Sequence, residues 1–172
     1  KVLSYTAITT DGNAKAVGVF DQPIASMRLS LVTDGPRLYF SAMVNGQTVL
    51  NQVSGAGGET VTLSAPFQNS NLLDLSPNRS ELLLVDLIPS DSEAQLWALP
   101  LLGGSPRRLG DVRAHAASWS PNGQQIVYAN GSDFFVANND GTGARKLLTA
   151  AGRPYWPRWS PDGSRLRFTV LD

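Results

Sequence analysis

Trp159-Ser160-Pro161-Asp162-Gly163, running on into Ser164-Arg165-Leu166-Arg167-Phe168-Thr169-Val170, is the stretch that decides the fold. An Asp-Gly or Asn-Gly pair between alternating apolar segments is a strong hairpin signal, because both central residues accept positive φ. Pro161 cannot donate to a ladder, so it marks a strand end. The segment after the turn alternates with period 2, as a strand does. The stretch then recurs. Trp119-Ser120-Pro121-Asn122-Gly123 repeats it, and Leu75-Ser76-Pro77-Asn78 repeats it with Leu for Trp and Arg79 for Gly. Val32-Thr33-Asp34-Gly35 keeps the frame without the Pro. Anchored on Asp34, Asn78, Asn122 and Asp162, the spacings are 44, 44 and 40 residues. Four positions beyond each anchor stand Leu38, Leu82, Ile126 and Leu166; six beyond stand Phe40, Leu84, Tyr128 and Phe168; three before stand Leu31, Leu75, Trp119 and Trp159. Apolar identity held at three offsets in four copies is a true internal repeat.

Each copy reads as strands, and no segment of useful length shows a helical period. Leu82-Leu83-Leu84-Val85 is apolar on both faces, the pattern of a strand in a sheet stacked between two neighbours. A second hairpin follows the first: Thr48 to Val53 and Thr60 to Leu63, then Gln95 to Leu101 and Pro106 to Leu109, then Asp133 to Asn138 and Ala144 to Thr149 around Asn139-Asp140-Gly141. Four short antiparallel strands in roughly 40–45 residues is one blade of a β-propeller. The expected fold is therefore all-β: a propeller of about four four-stranded antiparallel blades, filling residues 1–172 as one repeat array. Full blades are expected at about 28–65, 71–110 and 115–150, with fragments at 1–10 and 156–172.

The Trp-Ser-Pro-Asp-Gly frame, the apolar strand after it, and the Asp-Gly turn ahead of Arg145-Lys146-Leu147-Leu148-Thr149 resemble the TolB-type, WD-like propeller repeat of bacteria. The likeness is strong in the third and fourth copies. The second lacks the motif Trp and Gly, the first lacks Trp and Pro, and the Gly-His and Trp-Asp marks of true WD repeats are missing. The resemblance implies a non-enzymatic interaction or sensor module, a protein- or ligand-binding platform in an envelope or regulatory protein. It slightly favours an extracytoplasmic location.

The repeat is out of phase with the chain ends. Tyr5-Thr6-Ala7-Ile8-Thr9 resembles a fourth strand, and the chain stops just after a second strand. One reading is a piece of a longer propeller; the other is a closed ring of four blades with the last one strand short. Relatives of this type carry six or more blades, which favours the piece. A piece would leave open blade edges through which the protein could self-associate. Gly18 to Arg28 is a longer connection than those between the later blades.

Composition narrows the function classes. The 172 residues carry 14 basic and 14 acidic side chains. That balance argues against a nucleic-acid surface. With no Cys and one His, disulfides and a structural zinc site are not expected, and no cofactor or metal is expected. No apolar run approaches the ~18 residues of a membrane helix. There is no initiator Met and no leader pattern, so the chain reads as a mature or excised piece.

In a propeller the Pro-Asx-Gly turns share one face, and the connections between blades share the other, where binding residues gather around the channel. Asp111 to His115, Arg153 to Arg158 and Gln68 to Asn71 read as such connections. Arg113, His115, Arg153, Tyr155, Trp156 and Arg158 are the candidate binding residues, for a protein or a small ligand. The competing reading is that Tyr155 and Trp156 pack between blades and the arginines are solvated. Asp34, Asn78, Trp119, Asn122, Trp159 and Asp162 are given structural duty: the Asx side chains satisfy turn backbone, and the Trp pair packs between blades. His115 would need a nucleophile and an orienting carboxylate for catalysis, and no Gly-x-Ser-x-Gly elbow exists. No catalytic residue is assigned. Asp21, Asp91, Glu93 and Asp111 are the carboxylates near the channel mouth, and in sequence they look scattered. Pro106-Arg107-Arg108 and Arg145-Lys146 read as edge protection. The alternative function is the gating propeller of a prolyl-oligopeptidase-like hydrolase whose catalytic domain lies elsewhere.

Overall fold

A computed structural model describes residues 8–9, 31–86 and 91–171. Most of Tyr5–Thr9, all of Gly18–Arg28 and Asp21 lie outside them, as do Asp11-Gly12-Asn13 and Asp172. The described residues form strands and turns without a helix, so none contains a helix long and apolar enough to cross a membrane.

There are four antiparallel sheets. The first holds β1 (Leu31–Thr33), β2 (Arg37–Val44), β3 (Gln47–Ser54) and β4 (Val61–Thr62). The second holds β5 (Ser70–Leu75), β6 (Glu81–Asp86), β7 (Ala94–Pro100) and β8 (Arg107–Ala114). The third holds β9 (Ala116–Trp119), β10 (Gln125–Asn130), β11 (Asp133–Asn138) and β12 (Arg145–Thr149). The fourth pairs β13 (Arg153–Trp159) with β14 (Leu166–Leu171). Each sheet is a meander in chain order, three complete blades and half of a fourth. This is a partial propeller.

The core is partitioned by interface. Tyr39 and Leu50 of the first sheet meet Leu72, Leu82 and Leu84 of the second. Leu83, Val85 and Leu96 of the second meet Trp119, Ile126 and Tyr128 of the third. Val127, Ala129 and Phe134 of the third meet Trp159, Leu166 and Phe168 of the fourth. The strict alternation along each second strand thus sends one set of side chains back and the other forward. No described cluster joins the fourth sheet to the first.

Polar groups also stitch neighbouring sheets together. Ser41 donates to the Ser70 carbonyl (3.2 Å) and accepts from Leu72 N (3.0 Å). One sheet on, the Asp74 carboxylate accepts from Ser118 Oγ (2.7 Å) and Trp119 N (2.9 Å).

The repeat turns differ from the expected geometry. Positive φ occurs only at the last motif residue, Arg79, Gly123 or Gly163 (60°, 70° and 72°), and not at Asn78, Asn122 or Asp162. Arg79 N, Gly123 N and Gly163 N each donate to the carbonyl of the motif Ser at 2.8 Å. Pro therefore sits at the second position of a four-residue turn, where its fixed φ is favourable, and the left-handed residue follows. Arg79 occupies that conformation at a cost of about 1–2 kcal/mol. Two successive positive φ values occur instead at Asn45-Gly46, between β2 and β3, and at Gly57-Gly58 and Gly103-Gly104.

Candidate binding face

The β6–β7 connection, the β8–β9 junction, the β10–β11 turn and the start of β13 all fall on one face of the stack. There they converge on one carboxylate. Glu93 accepts from His115 Nδ1 (2.9 Å to Oε2), from Gly131 N (3.0 Å) and from Arg153 Nη2 (2.9 Å). Three consecutive sheets are thereby tied through a single side chain. His115 Nε2 lies 2.7 Å from the Pro154 carbonyl, and the His115 side chain is fully buried. Both ring nitrogens therefore lie against oxygen atoms of neighbouring sheets. The Tyr155 ring covers it at 4.8 Å, and Arg153 lies over Tyr155 at 5.9 Å.

Around this hub, Arg113 Nη2 binds Asp91 Oδ2 (2.8 Å) and the Glu93 carbonyl (2.6 Å), and Asn130 Nδ2 binds the Arg113 carbonyl (2.9 Å). Arg153 Nη2 also reaches the Ser92 carbonyl at 2.6 Å. Both arginines keep part of their side chain in solvent, 52% for Arg113 and 32% for Arg153. Trp156 stands beside Tyr155 (5.7 Å) with φ of 51°, at the point where the β13–β14 register slips. Positive φ is rare for so bulky a residue and marks a constrained bulge. Arg158 turns inward, donating to the Leu73 carbonyl of the second sheet (3.1 Å).

Sequence reasoning and structure part company at several of these residues. Asp111–Ala114 and Arg153–Arg158 read as connections, but they are ladder residues of β8 and β13. Pro154, Pro157 and the bulge at Trp156 erase the alternation that would have revealed a strand. Asp91 and Glu93 looked scattered, yet Asp91 pairs with Arg113 and Glu93 with His115 and Arg153 on one face, while Asp111 pairs with Arg108 (2.8 Å). His115 is the one-residue connection between β8 and β9, but its side chain is buried as an interior bridge. Tyr155 is buried as the packing reading expected, whereas Arg113 and Arg153 are ion-paired rather than merely solvated. Glu93 went unrecognised as the hub, because a single acid in a polar loop carries no sequence signal. Among the described residues no group of three or more His, Asp or Glu could hold a metal ion.

The opposite face carries the motif turns. Asn78, Asn122 and Asp162 each accept a hydrogen bond from the motif Ser and from a backbone N–H two residues on. The Ser160 and Ser164 hydroxyls and Ser164 N hold the Asp162 carboxyl down to about 2. Asp34 works differently. Burial pushes its carboxyl up, but hydrogen bonds from Arg37 (2.6 Å) and Tyr39 (3.0 Å) outweigh this and hold it below the usual range. Burial and the same Asp34 contact push the Tyr39 phenol up to about 12. Trp119 packs between the second and third sheets with Arg107 over its ring (5.8 Å). Arg107 also bridges to Glu81 (2.8 Å), so it closes an interface as well as guarding an edge. Between these sheets Ser76, Pro77, Asn78, Trp119 and Asn139 enclose a crevice of about 140 Å³. The equivalent crevice at Ser120, Pro121, Asn122 and Trp159 is about 390 Å³.

No family model matches the chain. A TolB homolog from Chlorobium luteolum is 30% identical over 130 residues, which is 67% of this chain and 30% of the relative. The TolB structure from Agrobacterium tumefaciens superposes with a TM-score of 0.72 at 19% identity, over 88% of this chain and 57% of that one. A gluconolactonase from Xanthomonas campestris gives 0.65 at 15% identity, over 90% and 57%. The chain thus spans less than a third of the length of that curated relative and somewhat over half of those two solved structures. The solved structures share the fold, and the curated relative shares sequence across two thirds of the chain. The repeats of this chain are of the TolB-type, WD-like β-propeller kind.

Proposed function

We propose that this propeller module is a non-enzymatic interaction platform, with its recognition surface on the face built around Glu93. The observation that carries the reading is the presentation of Arg113 and Arg153. Each is anchored through one nitrogen to the Asp91–Glu93 loop and keeps part of its side chain in solvent, Arg153 over the Tyr155 ring with Trp156 next to it. Preorganised arginine next to aromatic rings is the composition of a protein-binding hot spot. Both His115 nitrogens are engaged and the ring is fully buried, out of reach of a substrate, which supports a binding role over a catalytic one. A location outside the cytoplasm, in a bacterial envelope, is part of the same proposal and rests on the TolB likeness.

The test is comparative capture from a bacterial envelope extract, read by quantitative mass spectrometry. Immobilised wild-type chain is set against Arg113→Glu and Trp156→Ala, with Asn122→Ala on the other face as control. Partners enriched by wild type and by the control, but lost from both face variants, support the platform. An enrichment profile indifferent to Arg113 and Trp156 overturns it.

A further inference from the structure

The chain holds three Asn-Gly pairs, at 45–46, 122–123 and 130–131. Asparagine ahead of glycine is chemically labile, because no Cβ shields the glycine amide from the asparagine side-chain carbonyl. The fold treats the three pairs unequally. At Asn122 the side-chain oxygen accepts from Ser120 Oγ (2.8 Å) and Gln124 N (3.1 Å), and Gly123 N donates to the Ser120 carbonyl (2.8 Å). At Asn130 the side-chain amide donates to the Arg113 carbonyl (2.9 Å), and Gly131 N donates to Glu93 (3.0 Å). In both pairs the electrophile and the nucleophile are each tied to another group.

Asn45-Gly46 has neither restraint. Both residues are exposed, and among the described residues neither the Asn45 side chain nor Gly46 N makes a hydrogen bond. A Cβ on Gly46 would meet nothing within 4 Å, so the turn has room to rearrange. The pair forms the two-residue turn closed by the Val44–Gln47 rung, at φ of 50° and 79°. Leaving that conformation is the barrier the fold sets, and the tip of a hairpin opens at little cost. Asn130-Gly131 opens the β10–β11 turn, the same second-to-third-strand position two blades on, so the two pairs share a face and differ in their restraints.

We propose that Asn45 is a site of spontaneous deamidation, and that the Glu93 hub shields the equivalent Asn130-Gly131 pair from the same reaction. Gly46 N loses its proton and attacks Asn45 Cγ. The N–Cγ bond forms, the Cγ–Nδ2 bond breaks, and ammonia leaves with the proton. Water then adds to either carbonyl carbon of the cyclic imide. Cleavage of the N–Cγ bond leaves aspartate at position 45; cleavage at the main-chain carbonyl carbon leaves isoaspartate, with the main chain running through Cγ. Water is the co-reactant and no electrons are exchanged. Either product adds a negative charge to the face that carries Arg113 and Arg153, on a chain of zero formal net charge. Isoaspartate also lengthens the turn by a main-chain carbon.

The full chain is incubated at mildly alkaline pH, and peptide mapping by mass spectrometry follows each pair, with isoaspartate detected by enzymatic methyl transfer. Expected is loss of the Asn45 amide at least about tenfold faster than at Asn122 or Asn130, since those pairs must first open two or more hydrogen bonds. In urea the three rates should converge. Asn45→Gln should remove the early product. Glu93→Ala should raise the rate at Asn130 and leave Asn122 unchanged, whereas Glu93→Gln, which keeps an acceptor for Gly131 N, should leave Asn130 protected. Equal rates in the folded chain, or the same ranking kept in urea, would overturn the assignment of Asn45. No rise at Asn130 in Glu93→Ala, or an equal rise at Asn122, would overturn the shielding.

Discussion

Removing the Glu93 carboxylate isolates the most concentrated set of contacts in the molecule. In Glu93→Ala, the fully buried His115 ring loses its Nδ1 acceptor and Gly131 N loses its own. Leaving a buried polar group without its hydrogen-bond partner costs about 1–3 kcal/mol, because the survivor stays desolvated and unpaired. The Arg153 contact adds little to that figure, since its side chain is one-third exposed and water can replace the bond. Against a total stability of about 5–15 kcal/mol, the loss is large. Equilibrium urea unfolding followed by tryptophan fluorescence reads it, as Trp97, Trp119, Trp156 and Trp159 lie across three sheets. A double-mutant cycle with His115→Ala should return a coupling above about 1 kcal/mol. Asp111→Ala is the control: its pair with Arg108 is open to solvent, so its loss stays within about 0.5 kcal/mol. A Glu93→Ala loss under about 1 kcal/mol, or strictly additive single variants, would refute the hub.

Other outcomes follow from the same geometry. Trp119→Ala should destabilise by about 3–5 kcal/mol and Trp159→Ala by clearly less, since Trp119 is buried between complete blades and Trp159 only partly; denaturant midpoints compare them. Gly141→Ala should cost well over 2 kcal/mol, because a Cβ there would collide with the Leu109 carbonyl, while Gly131→Ala meets open space and costs only the left-handed penalty of about 1–2 kcal/mol. The Asp162 turn should be pH-sensitive. Its folded carboxyl sits at about 2, below the ordinary 3.8, so its stabilisation is complete above 3.8 and is lost as pH falls through about 2. Asp162→Asn, which copies Asn78 and Asn122, should remove that dependence, and the difference between variant and wild-type urea midpoints across this range measures it.

The blades were legible because their code is local. A Pro-Asx turn needs particular residues, and a strand buried on both faces needs runs such as Leu82–Val85, so four offset copies expose both. The face around Glu93 was not legible, because its members lie far apart in sequence and are brought together only by blade stacking. Glu93 and Arg153 are separated by 60 residues, yet they bond at 2.9 Å. The arginines and aromatics of 113–158 were selected on residue type, which says nothing about whether a side chain is a solvent-facing anchor, like Arg113, or an internal strut, like His115. The turn type was misjudged for another reason: Asp-Gly permits two successive positive φ values, but Pro ahead of it fixes a different turn before that preference can act.

Arrays of stacked modules are commonly described by nearest-neighbour coupling, in which each unit feels only the two beside it and the ends fray independently. The Glu93 hub does not fit that scheme. A side chain of the second blade binds Arg153 of the fourth directly, and Arg158 of the fourth binds the Leu73 carbonyl of the second. Blades two to four should therefore open as one cooperative unit, despite the separate apolar cluster in each interface. The first blade is tied to the second, among the described residues, through Ser41, the Thr48 N–Asn69 Oδ1 bond and an apolar cluster, so it should open ahead of that block.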